Sequence, residues 1–107
     1  MNEPTDEQIK EFWEWCGLHY TAPYWVDDNG NLAFYGEVHS ELLKSVDLNN
    51  LFLYAVPKLD AVGLRKQGKG KFVAHAIIGE GETYGIQDKD PALALFWAIY
   101  EVIKGTK

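Results

Sequence analysis

The feature that most constrains this fold is an apolar segment near the C-terminal end: residues 91–103 include a single charged residue, Glu101. Asp90 is a favourable N-cap, and Pro91 fits the first helical position, where its missing N–H costs nothing. The sequence therefore predicts a helix that ends at Gly105. A helix that is apolar on all sides has to be covered on more than one side. The rest of the chain, or a second chain, must supply that cover.

A helix is also predicted near the N-terminal end. Thr5 and Gln8 have capping-box spacing, so each side chain can satisfy a backbone N–H of the other residue. Four apolar residues then recur at helical spacing: Ile9, Phe12, Trp13 and Cys16. Gly17 is a natural stop, so this helix is expected at about residues 6–16. Trp15 lies off the apolar stripe.

Two hairpins are predicted between these helices. Asn29-Gly30 separates two short aromatic, β-prone runs, and both residues tolerate the positive φ of a type I′ turn. A Gly-Glu-Gly turn at residues 79–81 follows a run rich in β-branched residues. The predicted strands lie at residues 23–27, 32–36, 72–78 and 83–86.

The middle of the chain predicts a third helix with a kink. Asp47 can act as an N-cap, and apolar residues recur at helical spacing after it. Pro57 removes a donor inside this pattern, at a cost of about 3 kcal/mol in a regular helix. Because the apolar stripe continues in phase past Pro57, one kinked helix at residues 48–62 is favoured over two separate helices. Residues 37–46 show no clear pattern.

These elements give the order α-β-β-α-β-β-α. The chain has 107 residues, 47% of them apolar, which is enough for one core and too short for two independent ones. We therefore expect a single α+β domain over residues 1–107, in which the two hairpins form one antiparallel four-stranded sheet packed with three helices in layers. The residues expected to be buried include Ile9, Phe12, Phe52, Phe72, Phe96 and Trp97.

Four segments together resemble one known family. They are Glu11–Gly17, Trp25–Leu32, Asp47–Leu51 and Asp90–Leu95. Through them the chain resembles the phage ABA sandwich domain family, small proteins of unknown function seen mainly in phages and prophages. The resemblance covers nearly the whole chain. It implies a phage or prophage origin and a layered α-β sandwich, but no reaction and no catalytic residues.

The net charge of the chain is −6 and is unevenly spread. Residues 58–71 hold five cations and one carboxylate, so this stretch carries +4 and the remainder carries −10. An acidic chain repels nucleic acid and anionic membranes at long range, so neither is an expected partner. The acidic start is unlike a targeting presequence, the apolar runs are too short to span a membrane, and one Cys is present. The cytoplasm of a host cell is the expected location.

The basic stretch nevertheless offers an alternative function. Its candidate phosphate contacts, in a predicted loop at residues 65–71, are Arg65, Lys66, Lys69 and Lys71. With them the chain would be a weak nucleic-acid-binding accessory protein. Gly63 to Lys69 also matches most of the phosphate-binding loop of NTPases. The final Ser or Thr is absent, however, and a strand rather than a helix is expected to follow, so we reject an NTPase.

The sequence offers no constellation for catalysis or metal binding. Cys16 and His19 have C-x-x-H spacing, but the chain holds only three His, so a zinc site would lack ligands. Pairs of carboxylates lie at predicted turns and caps: Asp27 and Asp28, Glu80 and Glu82, and Asp88 and Asp90. We expect these carboxylates to be hydrated, whereas acid–base catalysis needs a displaced pKa. No enzyme activity, cofactor or metal is expected.

The surplus of aromatic residues is the most informative functional feature. Four Trp, six Tyr and five Phe exceed what a core of this size needs. Trp and Tyr outside a core are enriched at protein contacts. Trp15, Tyr100 and Val102 are the candidate contact residues, the last two because one side of the C-terminal helix could stay exposed rather than be buried centrally. The predicted function is a non-enzymatic protein-binding or assembly module, whose partner is another protein or a second copy of the chain.

Overall fold

The computed structural model describes residues 3–105. Contacts group them into two compact units, residues 3–46 and residues 47–105. The described residues form four helices and two three-stranded antiparallel sheets, one sheet in each unit. The α+β class is therefore confirmed, but the single four-stranded sheet and the count of three helices were wrong. The single domain over residues 1–107 stays a prediction.

The first helix follows its local signals. α1 spans Asp6–Trp15. The capping box is confirmed: the Thr5 hydroxyl accepts from the Gln8 N–H at 3.2 Å, and the Gln8 side chain accepts from the Thr5 N–H at 2.9 Å. Gly17 adopts a φ of +92°, and the N–H groups of Gly17 and Leu18 bond back to carbonyls in the last turn. This Schellman arrangement ends α1 where the sequence predicts.

The sheet of the first unit contains one strand that was not predicted. Its strands are β1 at His19–Thr21, β2 at Tyr24–Val26 and β3 at Leu32–Tyr35, in the order β1-β2-β3. β2 and β3 confirm the first predicted hairpin. β1 pairs with β2 across a two-residue turn, Ala22-Pro23, whose peptide bond is cis. That turn contains neither Asn nor Gly, the residues that usually mark a hairpin.

The turn between β2 and β3 is not the predicted type I′ turn. Gly30 has a φ of +82°, whereas Asn29 has no positive φ. The Gly30 N–H bonds to the Asp27 carbonyl, and the Asp27 N–H bonds to the Asn31 carbonyl. The Asp27 carboxylate also accepts the N–H groups of Asn29 and Asn31, at 2.9 and 2.8 Å. These side-chain bonds favour a three-residue loop in which Gly30 alone takes the left-handed position.

The second helix of the first unit lies where no clear sequence pattern exists. α2 spans His39–Ser45 and packs against α1. The indole N–H of Trp13 donates to the Ser45 hydroxyl at 2.9 Å, and its ring contacts Phe34 edge-on at a centroid distance of 5.0 Å. Ser45 in turn donates to the Leu42 carbonyl. Because Trp13, Ser45 and Leu42 are all buried, these contacts join α1, α2 and β3 in the interior of the unit.

The kinked helix predicted at residues 48–62 was wrong. The helical segment consists of α3 at Leu48–Asn50, a π-helical turn at Leu51–Ala55 and a 3₁₀ turn at Val56–Lys58. Its predicted cap is present, because the Asp47 carboxylate accepts the Asn50 N–H at 2.7 Å. Pro57 has no N–H with which to continue a regular helix, and the helical segment ends one residue after it. Phe52, expected in the core, is exposed.

The sheet of the second unit also contains an unpredicted strand. Its strands are β4 at Ala61–Lys66, β5 at Phe72–Ile78 and β6 at Gly81–Asp88, in the order β4-β5-β6. β5 and β6 confirm the second predicted hairpin. β4 occupies residues that were expected in the helix and in the basic loop. It pairs with β5 along its whole length, and this pairing outweighs the helical spacing of Val62.

The last helix confirms the sequence prediction. α4 spans Pro91–Gly105 and packs on β5 and β6. The Asp90 carboxylate accepts the Ala92 N–H at 2.8 Å, which is the predicted cap. One side of β5 carries Ala74 and Ala76, both fully buried, and their small side chains allow a helix to approach the sheet closely.

Burial of α4 contradicts one predicted contact surface. Tyr100 is 7% exposed and Val102 is 2% exposed. The exposed flank considered for this helix is therefore absent. Of the six residues expected in the core, Ile9, Phe12, Phe96 and Trp97 are buried, Phe72 is half-buried and Phe52 is exposed.

Candidate binding surfaces

The outer side of the first sheet exposes two tyrosines and a leucine. Side chains alternate between the two sides of a strand, and directly paired residues lie on the same side. Trp25 pairs with Phe34 on the buried side, so the neighbouring pair of Tyr24 and Tyr35 lies on the other side. The two tyrosine rings are 5.0 Å apart at their centroids.

Leu32 lies on the same side of the sheet as this tyrosine pair. Leu32 is paired with Val26, which alternation places on the same side of β2 as Tyr24. The register shifts between Trp25 and Val26, so Leu32 does not follow Phe34, two residues on, to the buried side. Tyr24, Leu32 and Tyr35 are all exposed, and Tyr35 is 55% exposed. We call the surface formed by Tyr24, Val26, Leu32 and Tyr35 the first-sheet face. Trp15, the contact candidate from the sequence, is half-buried on α1 and does not belong to it.

The two units differ sharply in charge. Residues 3–46 contain nine carboxylates and two lysines, a balance of −7, whereas residues 47–105 contain seven of each sign. Two of the carboxylates in the first unit face histidines: Asp28 lies 2.6 Å from the His19 imidazole, and Asp6 lies 2.6 Å from that of His39. The acidity of the whole chain therefore comes from the unit that carries the first-sheet face.

The outer side of the second sheet presents a stacked pair of rings. Gly63 on β4 is paired with His75 on β5. A Cβ placed on Gly63 would lie only 1.9 Å from Cε1 of His75, so the imidazole occupies the space that any other side chain at position 63 would fill. The absence of a side chain at Gly63 thus allows His75 to lie across the neighbouring strand.

A bulge in β6 brings a tyrosine to this histidine. Ala74 pairs with Ile86 and Ala76 pairs with Thr83, so two residues of β6, Tyr84 and Gly85, lie opposite His75. Gly85 takes a φ of +72°, which a β-bulge of this kind requires.

The bulge places Tyr84 beside the imidazole of His75. The two rings stack at a centroid distance of 5.5 Å and an angle of 24°, and Tyr84 remains 58% exposed. The Tyr84 hydroxyl donates to the Glu82 carboxylate at 3.0 Å. This hydrogen bond is the main reason that the pKa of Tyr84 is raised above its usual value of 10.0.

The four predicted phosphate contacts do not form one cluster. Arg65 is paired with Val73, two residues from His75, and so lies on the same side of the sheet as the stacked rings. Lys66, its neighbour on the strand, points to the opposite side. Lys69 and Lys71 lie in the β4–β5 connection, and all four of these cationic side chains are exposed.

A groove at this end of the second sheet adds two residues that sequence reasoning missed, Gln87 and Lys89. It has a volume of about 400 Å³ and is lined by Lys71, Gln87, Asp88 and Lys89. Gln87 is paired with Val73 on β5, so it lies on the same side of the sheet as His75. We call the surface formed by Arg65, His75, Tyr84 and Gln87 the second-sheet face; Val73, which lies between Arg65 and Gln87 on β5, is buried at 7% exposure. The groove adjoins this face through Gln87.

Two of the carboxylates at turns, Asp27 and Asp88, accept backbone N–H groups. The N–H groups of Asn31 and Asn29 bond to Asp27, and these bonds lower the pKa of its carboxyl group, although some loss of hydration opposes them. Asp88 accepts the N–H of Asp90 at 2.9 Å. Hydrogen bonds of this kind stabilise local backbone structure.

Cys16 is buried, and the His19 imidazole faces Asp28. In the part of the chain that the structure describes, no group of three His, Cys, Asp or Glu residues is placed to hold a metal ion. Among residues 3–105, no helix combines the length and the apolar character needed to cross a bilayer.

Comparison of the chain with family models, with curated proteins and with solved structures found no match. The resemblance to the phage ABA sandwich domain family stays a prediction.

Proposed function

We propose that this chain is a non-enzymatic protein-binding module and that its first-sheet face contacts a partner protein. The observation that carries the proposal is the exposed tyrosine pair, Tyr24 and Tyr35, next to the exposed Leu32. Tyrosine supplies a large contact area at a low cost in side-chain entropy and is enriched at the centres of interfaces. A β-sheet holds these side chains in fixed positions, so little ordering is needed on binding.

The charge of the first unit indicates the chemistry of the partner. With a balance of −7 over residues 3–46, this unit attracts a protein whose contact surface is apolar at its centre and basic around it. The same charge repels a second copy of the unit, so a different protein is favoured over self-association through this face. A phage or prophage origin belongs to this proposal and rests on the sequence resemblance alone. Action in the host cytoplasm also belongs to it and rests on the short apolar runs and the single Cys.

Capture followed by reconstitution tests the proposed partner. The wild-type chain, a Tyr24→Ala/Tyr35→Ala double variant and a Tyr84→Ala variant are immobilised, exposed to a bacterial lysate, and their bound proteins are quantified by mass spectrometry. Tyr84 matches Tyr35 in residue type and in exposure, 58% against 55%, but lies on the second sheet. We expect a basic protein to bind wild type and Tyr84→Ala and to be lost from the double variant.

The captured protein is then purified and titrated with the same three chains. Its affinity should fall as salt rises, because the charges around the contact are exposed and screened. A photo-crosslinking residue placed at Leu32 should join the two chains directly. A protein that binds all three chains equally, or one whose crosslink requires position 84 instead of position 32, contradicts the assignment of the first-sheet face.

A further inference from the structure

The second-sheet face combines an open aromatic surface with cations, on a unit that carries no net charge between residues 47 and 105. We propose that this face binds single-stranded nucleic acid, with a base stacked on the His75–Tyr84 pair and backbone phosphates at Arg65 and at the groove of Lys71 and Lys89. This site is on the other sheet from the proposed protein contact and does not depend on it.

The ring pair has the form of a surface on which a base can stack. Proteins that bind single strands without strict sequence preference present aromatic side chains on which successive bases stack. Tyr84 is held by the His75 ring on β5 and by the hydrogen bond from its hydroxyl to Glu82. A ring that is already oriented loses little freedom when a base stacks on it, yet 58% of this tyrosine is open to solvent.

Two glycines make this arrangement possible. Any side chain at position 63 would meet the imidazole of His75, and Gly85 supplies the positive φ of the bulge that carries Tyr84. Hydrophobic packing explains the ring pair only in part: Val73 on the same side of the sheet is buried and His75 is half-buried, but Tyr84 is 58% exposed. Both features are what a stacking surface on a sheet requires: rings close to the backbone and free to meet a ligand.

Cations and an amide lie beside the ring pair, toward one end of the face. Along β5, Val73 lies about 7 Å from His75, and Val73 has Arg65 beside it on β4 and Gln87 beside it on β6. Gln87 also lines the groove with Lys71 and Lys89. A single strand whose base stacks on Tyr84 therefore passes an amide that can bond to base edges before its phosphates reach the lysines.

The charges along the second-sheet face orient the ligand and limit its affinity. Arg65 and the two lysines lie toward one end, whereas Glu82, which holds Tyr84, lies toward the other end. Asp88 stands in the groove, where its carboxylate accepts the N–H of Asp90. The cationic end is expected to hold the phosphates, and the carboxylates on both sides of the rings make tight binding at physiological salt unexpected.

Fluorescence anisotropy of labelled oligonucleotides, mixed with the full chain, tests this site. Oligo-dT and oligo-rU of about 12 nucleotides are the probes, and the two arms distinguish DNA from RNA. We expect saturable binding at low salt. With three cations in contact, raising salt from about 50 to about 200 mM should weaken that binding roughly ten- to twenty-fold.

Substitutions separate stacking from charge. Tyr84→Ala should raise the dissociation constant about ten-fold, while Tyr84→Phe, which keeps the ring and loses only the hydrogen bond to Glu82, should weaken binding much less. Tyr35→Ala, the matched tyrosine on the first sheet, should have no effect. Lys71→Glu combined with Lys89→Glu should weaken binding and flatten its salt dependence.

Gly63→Ala displaces the imidazole without removing any group that touches the ligand. His75 is a half-buried side chain that can rotate toward solvent, so we expect the melting temperature to change little while the affinity falls. If this variant does not fold, the substitutions of the exposed Tyr84 test the proposal instead. Absence of saturable binding by both probes at low salt overturns the proposal. Binding that Tyr84→Ala leaves unchanged also overturns it, because cations alone then hold the phosphates.

Discussion

At the scale of single residues, Asp27 determines the shape of the first hairpin. Its carboxylate accepts two backbone N–H groups, from Asn29 and Asn31, and these bonds favour a three-residue loop over a two-residue Asn29-Gly30 turn. These bonds are made to the charged form of the carboxyl group, which lowers its pKa in the folded chain. The stability of this turn therefore depends on pH.

The sign of this coupling follows from the lowered pKa. Asp27 stabilises the fold above its ordinary pKa of 3.8, and this contribution is lost as the pH falls through the lower value of the folded chain. We expect Asp27→Asn to weaken the acid dependence of stability, measured by urea unfolding from neutral pH to about pH 2.5. Glu80→Gln, in the turn between β5 and β6, is the control. Identical pH profiles for wild type and Asp27→Asn would contradict this role.

Two buried tryptophans of the first unit differ in one hydrogen bond. The Trp13 indole donates to the Ser45 hydroxyl, whereas the buried Trp25 indole N–H has no hydrogen-bond partner among the described residues. Trp13→Phe should therefore destabilise the chain by about 1 kcal/mol more than Trp25→Phe, since both remove similar ring volume and one also removes a bond. Urea unfolding measures both variants. Equal losses, or a larger loss for Trp25→Phe, would show that packing rather than the bond dominates.

At the scale of elements, short sequence signals correctly predicted the features that short-range hydrogen bonds determine. The N-terminal starts of α1 and α4 were predicted correctly because Thr5, Gln8 and Asp90 hydrogen-bond to backbone groups within four residues along the chain. β1 and β4 were missed because each forms a strand only through its pairing with a partner strand. The Ala22-Pro23 turn carries no Asn or Gly signal, and Val62 fits a helical stripe as well as a strand.

The candidate site could be predicted only in part, for the same reason. Arg65 and Lys71 were identified from charge, but their neighbours depend on strand register. Nothing local indicates that Gly63 lies opposite His75, or that a bulge at Gly85 turns Tyr84 toward it. Register is set by long-range pairing, so a glycine that makes room for a ring looks like any other glycine in the sequence.

At the scale of the whole molecule, charge is divided between the two units. The net charge of −6 argued against nucleic acid for the whole chain, but the excess of carboxylates belongs to residues 3–46. Residues 47–105 carry seven charges of each sign, so the unit that carries the second-sheet face has no excess of carboxylates. Overall charge is therefore a poor guide to what each sheet binds.

The burial of α4 also changes what is expected of self-association. Tyr100 was a candidate interface residue, but it is buried and stacks on Phe96, with ring planes 8° apart and centroids at 5.8 Å. A buried ring contributes to folding and is not available to a second chain. We therefore expect Tyr100→Ala to destabilise the chain by about 3 kcal/mol, as truncation of a large core residue does, and not to dissociate an oligomer.

Sedimentation velocity and urea unfolding, applied to the same samples, distinguish these outcomes. The wild-type chain should sediment as a 12.2 kDa monomer at every concentration, since its surface charge is repulsive and its most apolar helix is covered. Tyr35→Ala, which truncates an exposed tyrosine, should unfold at nearly the wild-type urea concentration. A dimer that Tyr100→Ala converts into an equally stable monomer would show instead that this helix meets another chain.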